Sequence, residues 1–315
     1  MSATICQSAA STVRTTLPGL CAMTPALRAP VVLLALAAAW PANASAQTWQ
    51  LTATLLANAF MTFPEPGAAV SHNDNLNLLN KPAAAQLQAL HALSSVPNGG
   101  SAEASFLGRV GLLKAQAVAG FPYCCTVNGQ TVTTGYTNAT VQASFYDTVM
   151  VSGAGLAVGT PVQYRVNFDI SGTISSPAFE IGGRLNADGL AQVRLRDTQS
   201  SREVLLNWDA TRDATGRFSL TLDTEVGHEL GLSGMLYAGA YVDAHAVLGR
   251  VATADFYHSA AYSLAPSVAG LNTLGASGID FLAPVPEPAA WALTLLGLAG
   301  LLGRRRLKRC AHPGG

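Results

Sequence analysis

The chain has 315 residues, of which 49% are hydrophobic and only 11% are charged, and its formal net charge is zero. This balance is misleading because seven of the 18 basic residues lie near the two ends, leaving 11 basic and 17 acidic side chains in residues 47–283. A mildly acidic body argues against a nucleic-acid partner, which needs clustered Lys and Arg.

Residues 1–46 have the pattern of a secretory signal peptide. Arg14 and Arg28 precede an apolar stretch over residues 31–40, and Ala44-Ser45-Ala46 follows as an A-x-A site. The pattern predicts that signal peptidase cuts between Ala46 and Gln47. Met23 is an alternative start, since it leaves Arg28 just ahead of the apolar stretch.

Residues 47–100 are expected to form an irregular N-terminal section. Within it, residues 82–93 place Leu87, Leu90 and Leu93 at helical spacing among Ala and Gln, which predicts a short helix. Asp74 lies between two asparagines, but the spaced acidic ligands of a calcium loop are missing around it. A Pro64-Glu65-Pro66 tripeptide in this section is predicted to be a loop.

Residues 101–283 are predicted to be an all-β ectodomain. The clearest strand covers residues 162–170, where apolar and polar residues alternate over nine positions. Similar patterns, some less strict, occur over residues 141–151, 191–196, 204–208, 217–223, 236–247 and 251–264. Turn residues separate these segments, which predicts an antiparallel β-sandwich with jelly-roll or immunoglobulin-like connectivity.

Tyr237 and Tyr241 are the candidate glycan contacts of this ectodomain. They lie on the polar side of the segment 236–247, and tyrosine rings can stack on sugar rings. Ordinary cross-strand packing is the competing interpretation. Asp243 and His245 share that side, where a solvated strand face competes with a metal or sugar site. We predict neither a metal ion nor a cofactor.

The sequence contains no complete zinc protease, serine hydrolase or phosphate-loop motif. His228-Glu229 begins like a zinc protease motif, but Leu232 occupies the position of the second histidine. A G-x-S-x-G elbow and a phosphate-binding glycine loop are also missing. We therefore expect a protein that is not an enzyme, and a hydrolase assembled from scattered residues remains a separate hypothesis.

Cys124-Cys125 are the cysteines that remain between the two predicted signals. Adjacent cysteines can form only a strained ring, so this pair cannot staple distant parts of the fold. Free thiols and bonds to another chain both remain open. The ectodomain must therefore be held by its packed core.

The C-terminal residues 284–315 combine a short motif, an apolar run and a basic cluster. Pro286-Glu287-Pro288 precedes an uncharged segment over residues 289–303, and Arg304-Arg305-Arg306 follows. Fifteen residues make about 22 Å of helix, short of the roughly 30 Å of a bilayer core, so this predicted hydrophobic helix is a marginal span. The basic residues would stay cytoplasmic. An ordinary tail anchor with a proline-rich stalk is the alternative.

This tripartite tail resembles the PEP-CTERM sorting signal of Gram-negative bacteria. In that family a membrane protease, exosortase, cuts at the motif and releases or transfers the protein outside the cell. The resemblance implies that Pro286, Glu287 and Pro288 are recognition residues for exosortase and that Arg304, Arg305 and Arg306 stop transfer. Residues 143–148 and 254–257 also look like recurrent strands of ectodomains that carry this signal.

Together these features predict an exported, non-enzymatic protein of the cell surface or extracellular matrix. Its precursor would be anchored transiently in the inner membrane, with exosortase and signal peptidase as processing partners. The resemblance places it with exopolysaccharide or biofilm. A carbohydrate-binding module at the cell surface is the alternative function.

Overall fold

The computed structural model describes nine ranges of the chain. They are residues 49–62, 69–79, 87–96, 100–121, 126–127, 130–131, 134–176, 185–243 and 250–282. Both predicted signals, Cys124-Cys125 and Pro64-Glu65-Pro66 lie outside the described residues. Among the described residues, no helix is long and apolar enough to cross a membrane.

The described chain is built from strands. They are β1 Trp49–Thr62, β2 Ala69–Leu79, β3 Gln88–Ser95, β4 Ser101–Arg109, β5 Leu112–Phe121, β6 Thr126–Val127, β7 Gln130–Thr131, β8 Thr134–Met150, β9 Pro161–Ser175, β10 Leu185–Asp197, β11 Glu203–Asp209, β12 Gly216–Glu225, β13 Glu229–Asp243 and β14 Arg250–Pro266.

Twelve of these strands form two six-stranded antiparallel sheets. Sheet A has the order β11-β10-β13-β8-β1-β2, and sheet B has the order β12-β9-β14-β5-β4-β3. The two remaining strands, β6 and β7, pair with each other. The two sheets bury one shared hydrophobic core, so the prediction of an all-β antiparallel sandwich is confirmed.

Alternation of apolar and polar residues determines which side of each strand is buried. In β9 the five predicted inward residues, from Val162 to Ile170, are all buried. In β10 the predicted set Ala191, Val193 and Leu195 is buried as well. Period two therefore assigned these strand faces correctly.

Small and large side chains occupy different parts of the core. Alanines pair across neighbouring strands on the inner sides of both sheets, in the rows Ala187–Ala240–Ala139–Ala57 and Ala254–Ala117–Ala104–Ala92. Elsewhere the rings of Phe145 and Tyr262 meet edge to face at 4.9 Å, and Phe168 lies 5.0 Å from Tyr262. Aromatic pairs of this kind add stability beyond the area they bury.

The prediction of a helix over residues 82–93 is wrong where the structure describes it. Residues 88–95 form β3, which pairs along its whole length with β4, and residues 82–86 lie outside the described residues. Ala92 is buried, whereas Leu87 and Leu93 are exposed. Pairing with β4 overrides the helical preference of a segment rich in Ala, Gln and Leu.

The expectation of an irregular section over residues 47–100 is also corrected. Its described residues form β1, β2 and β3, and β1 lies between β2 and β8 inside sheet A. β1 buries alternate residues from Leu51 to Met61. The N-terminal section therefore supplies part of both sheets.

Candidate functional site

Tyr237 and Tyr241 lie on the outer side of β13, in the interior of sheet A. The alternate residues Ala238, Ala240 and Val242 are buried in the core, as the alternation predicts. Both tyrosines are half-buried. β13 is paired on both sides, with β8 and β10, so a relatively rigid part of the sheet presents the two rings.

Tyr241 belongs to an aromatic ladder that crosses three strands, formed by Phe60, Tyr136 and Tyr241. The rings of Tyr136 and Tyr241 are stacked, with centroids 6.0 Å apart and an angle of 21° between planes. Phe60 continues the ladder at 5.4 Å from Tyr136. Cross-strand packing, the competing interpretation of the sequence, thus applies to Tyr241, whose ring is supported by its neighbour.

Tyr237 lies along the sheet instead of in the ladder. A Cβ atom built on Gly239 would come within 2.5 Å of the Tyr237 hydroxyl oxygen and 2.9 Å of the ring carbon that carries it. The ring therefore covers the space that a side chain at position 239 would occupy. Glycine at this position lets the tyrosine lie against the backbone of its own strand.

Sequence reasoning missed Phe60 and Tyr136. Tyr136 on β8 lies opposite Phe60 on β1 and opposite Asp243 on β13. These strand pairings join distant parts of the sequence. Phe60 also falls in the section that was expected to be irregular. The alternation within β1 does place Phe60 opposite the buried side, but nothing local to either strand gives their register.

A second polar cluster, centred on Asp197, lies where β10, β12 and β13 meet. The buried carboxylate of Asp197 accepts hydrogen bonds from His228 Nδ1 and Thr224 Oγ1, both at 2.7 Å. The backbone amides of Gln199 and Ser200 also donate to it, at 2.9 Å. Burial alone would raise the pKa of Asp197, but hydrogen bonds from His228, Ser200 and Thr224 outweigh burial and hold its pKa well below the usual range.

The Asp197 cluster has part of the geometry of a hydrolytic triad, because a carboxylate orients an imidazole. However, His228 Nε2 faces the Glu225 carboxylate at 4.0 Å. A carboxylate at that position offers no hydroxyl or thiol that the imidazole could activate as a nucleophile. A shallow cleft of about 390 Å³ adjoins the cluster and shares Thr224 and Glu225 with it. We interpret the cluster as a structural junction of three strand ends.

The remaining candidates do not form a metal site in the part of the chain that the structure describes. No group of three or more His, Cys, Asp or Glu side chains there could hold a metal ion. Asp74 accepts a hydrogen bond from the Leu93 amide at 3.1 Å and so joins β2 to β3. Asp243 ends β13, and His245 lies outside the described residues.

The predicted processing residues also lie outside the described residues. They are Ala44, Ala46 and Gln47 at the N-terminal site, Pro286, Glu287 and Pro288 in the motif, and Arg304, Arg305 and Arg306 in the tail. No protein-family model matches the chain, and no curated protein sequence matches it.

Proposed function

We propose that this chain is an exported, non-enzymatic protein of the cell surface or extracellular matrix whose sandwich binds extracellular polysaccharide. The observation that supports the binding role is the aromatic surface of sheet A. There, Tyr237 and the ladder of Phe60, Tyr136 and Tyr241 lie on the outer side of the central strands. Tyrosine rings suit sugars because they offer an apolar face together with a polar hydroxyl.

The two terminal sequence patterns support the proposed location. Signal peptidase would cut after Ala46 during export, and exosortase would act at Pro286-Glu287-Pro288 while the precursor is held in the inner membrane. The mature ectodomain would then remain at the cell surface or enter the matrix. A protein in that position meets polysaccharide at high local concentration, so even weak contacts repeated over many copies would retain it.

Retention of the mature ectodomain on the extracellular polysaccharide of its own cells tests this function. The double variant Tyr237→Ala, Tyr241→Ala should bind about tenfold more weakly or worse, because it loses both rings. Tyr257→Ala, which removes a half-buried tyrosine from sheet B, is the matched control and should bind like the native protein. Tyr237→Ala alone leaves the ladder intact and should show an intermediate loss.

Equal retention of all four proteins would show that the aromatic surface does not contribute to polysaccharide binding. Release of reducing sugar from the polysaccharide by the purified native ectodomain would contradict the non-enzymatic role. In that case Asp197→Asn would be the variant to compare, since Asp197 orients the His228 imidazole.

A further inference from the structure

The outer side of β1, β2 and β8 carries no charged side chain among its described residues. These strands contain no Lys, Arg or Glu, and their only ionisable acids and imidazole are His72, Asp74 and Asp147. All three point away from the outer side: His72 and Asp74 bond to β3, and Asp147 is buried. We call the outward side chains of these three strands the neutral face.

Amides, hydroxyls and rings make up most of the neutral face, with Leu56 and Met150 among its few aliphatic side chains. One cross-strand row that begins on it continues over β13 to β10 and consists of four asparagines and a tyrosine, in the order Asn73, Asn58, Asn138, Tyr241, Asn186. The row crosses five strands, so it is about 19 Å long. It runs beside the row that holds Phe60 and Tyr136.

The lack of charge is specific to this part of the molecule. The outer side of sheet B carries both signs, including Arg217 paired with Asp169 at 2.7 Å and His91 in contact with Glu103 at 3.0 Å. On sheet A, charges reappear on β13, where Asp243 lies opposite Tyr136, and on β10 and β11, where Arg194 pairs with Glu203. The neutral face is therefore a local feature and does not follow from a low overall charge.

We infer that the neutral face binds an uncharged polysaccharide strand that lies across the β-strands, along the asparagine row. The inference rests on the proposed function and narrows its ligand class. An asparagine amide both donates and accepts hydrogen bonds, which matches the sugar hydroxyl, and the adjacent rings supply apolar contact. The face offers no cation for a uronate, sulfate or phosphate group, so nothing on it favours an acidic polymer.

Two other occupants fit the neutral face less well. A lipid surface is attracted by Lys and Arg together with exposed aliphatic side chains, and the face lacks both cations. A protein interface needs a more apolar, well-packed centre than Leu56 and Phe60 provide among asparagines and threonines. Self-association through the face is tested as an outcome below.

Affinity electrophoresis of the mature ectodomain tests the inference, with gels that contain galactomannan or xyloglucan as neutral probes and alginate as the acidic probe. We expect retardation by at least one neutral gel and none by alginate. Asn58→Asp with Asn138→Asp keeps side-chain size but removes amide donors and adds charge, and should weaken neutral binding about tenfold. Asn167→Asp on the outer side of sheet B is the matched control and should not.

A measurement on the native protein makes the test independent of how the variants fold. Side-chain amide NMR signals of Asn58 and Asn138 should shift when oligosaccharide from the retarding polymer is added, while the signal of Asn167 stays in place. Retardation by alginate alone would overturn the neutral ligand class but leave polysaccharide binding standing. No retardation by these gels or by the cells' own polysaccharide would overturn both. Dimerisation abolished by the Asp variants would show instead that the face binds a second copy.

Discussion

Asp197 is the residue whose loss should cost the fold most among the described carboxylates. Asp197→Ala leaves His228, Thr224 and two backbone amides without their shared acceptor, so we expect a loss of about 3–5 kcal/mol in the free energy of unfolding. Asp169→Ala breaks only the exposed pair with Arg217 and should cost less than about 1 kcal/mol. Urea unfolding of both variants measures the difference. Equal losses in the free energy of unfolding would contradict the interpretation of the Asp197 cluster as a structural junction.

The same carboxylate has a defined pH window. The pKa of Asp197 is lower in the folded chain than in the unfolded one, so its stabilising contribution is complete above about pH 4 and is lost as the pH falls further. Sequence reasoning missed this residue because its partners come from three strand ends. Of the residues in this cluster, the sequence pattern singles out only His228, as the start of a zinc protease motif that Leu232 interrupts.

At the scale of elements, the segment over residues 267–282 closes one end of the sandwich and is held by β8. Phe281 is buried, its carbonyl accepts from the Leu264 amide, and the Ala276 amide donates to the Thr148 carbonyl at 2.8 Å. The carboxylate of Asp147, also buried, accepts hydrogen bonds from the hydroxyl and the amide of Ser277. The described body is therefore packed up to residues just before the predicted sorting motif.

This contact should make stability fall as the pH rises. Burial raises the pKa of Asp147 to about 6, although hydrogen bonds from Ser277, Thr148 and Ala276 act in the opposite direction. The folded chain therefore holds a proton that the unfolded chain loses near pH 4, and the free energy of unfolding should decrease between about pH 4 and pH 6, by up to roughly 3 kcal/mol.

Thermal unfolding across that range, compared with Asp147→Asn, checks the effect. The variant cannot ionise at this position, so its midpoint should vary less with pH. Ser277→Ala removes the hydroxyl donor that favours the charged carboxylate and should steepen the native dependence. A native midpoint that rises from pH 4 to pH 6 by the same amount in all three proteins would rule out this role for Asp147.

The strands could be predicted from sequence only where one side is buried and the other is wet. β9 meets that condition over nine residues, and its inward set was identified correctly. The edge strand β3 does not: Leu87, Leu90 and Leu93 repeat every three residues and imitate a helix, while pairing with β4 decides the structure. The asparagine row and the aromatic ladder depend on register between β1, β8 and β13, and local sequence carries no information about that register.

At the scale of the whole molecule, the two outer sides of the sandwich have different chemistry. Sheet B presents paired charges of both signs, which is typical of a solvated surface, whereas the neutral face of sheet A presents amides, hydroxyls and rings. A protein that must stay dissolved yet attach to an uncharged polymer gains from this division. Under the proposed function, the acidic excess of residues 47–283 would serve solubility.

The intact mass of the protein recovered from outside its native cells tests the central claim, that this sandwich is exported and trimmed at both ends. We predict a mass that corresponds to a chain from Gln47 to near Pro286, with or without added modification. Replacing Pro286, Glu287 and Pro288 by Ala should leave the tail attached, whereas the same replacement at Pro64, Glu65 and Pro66 should not. A native mass that retains residues 289–315 would mean that the tail is a permanent anchor, and would contradict the sorting proposal.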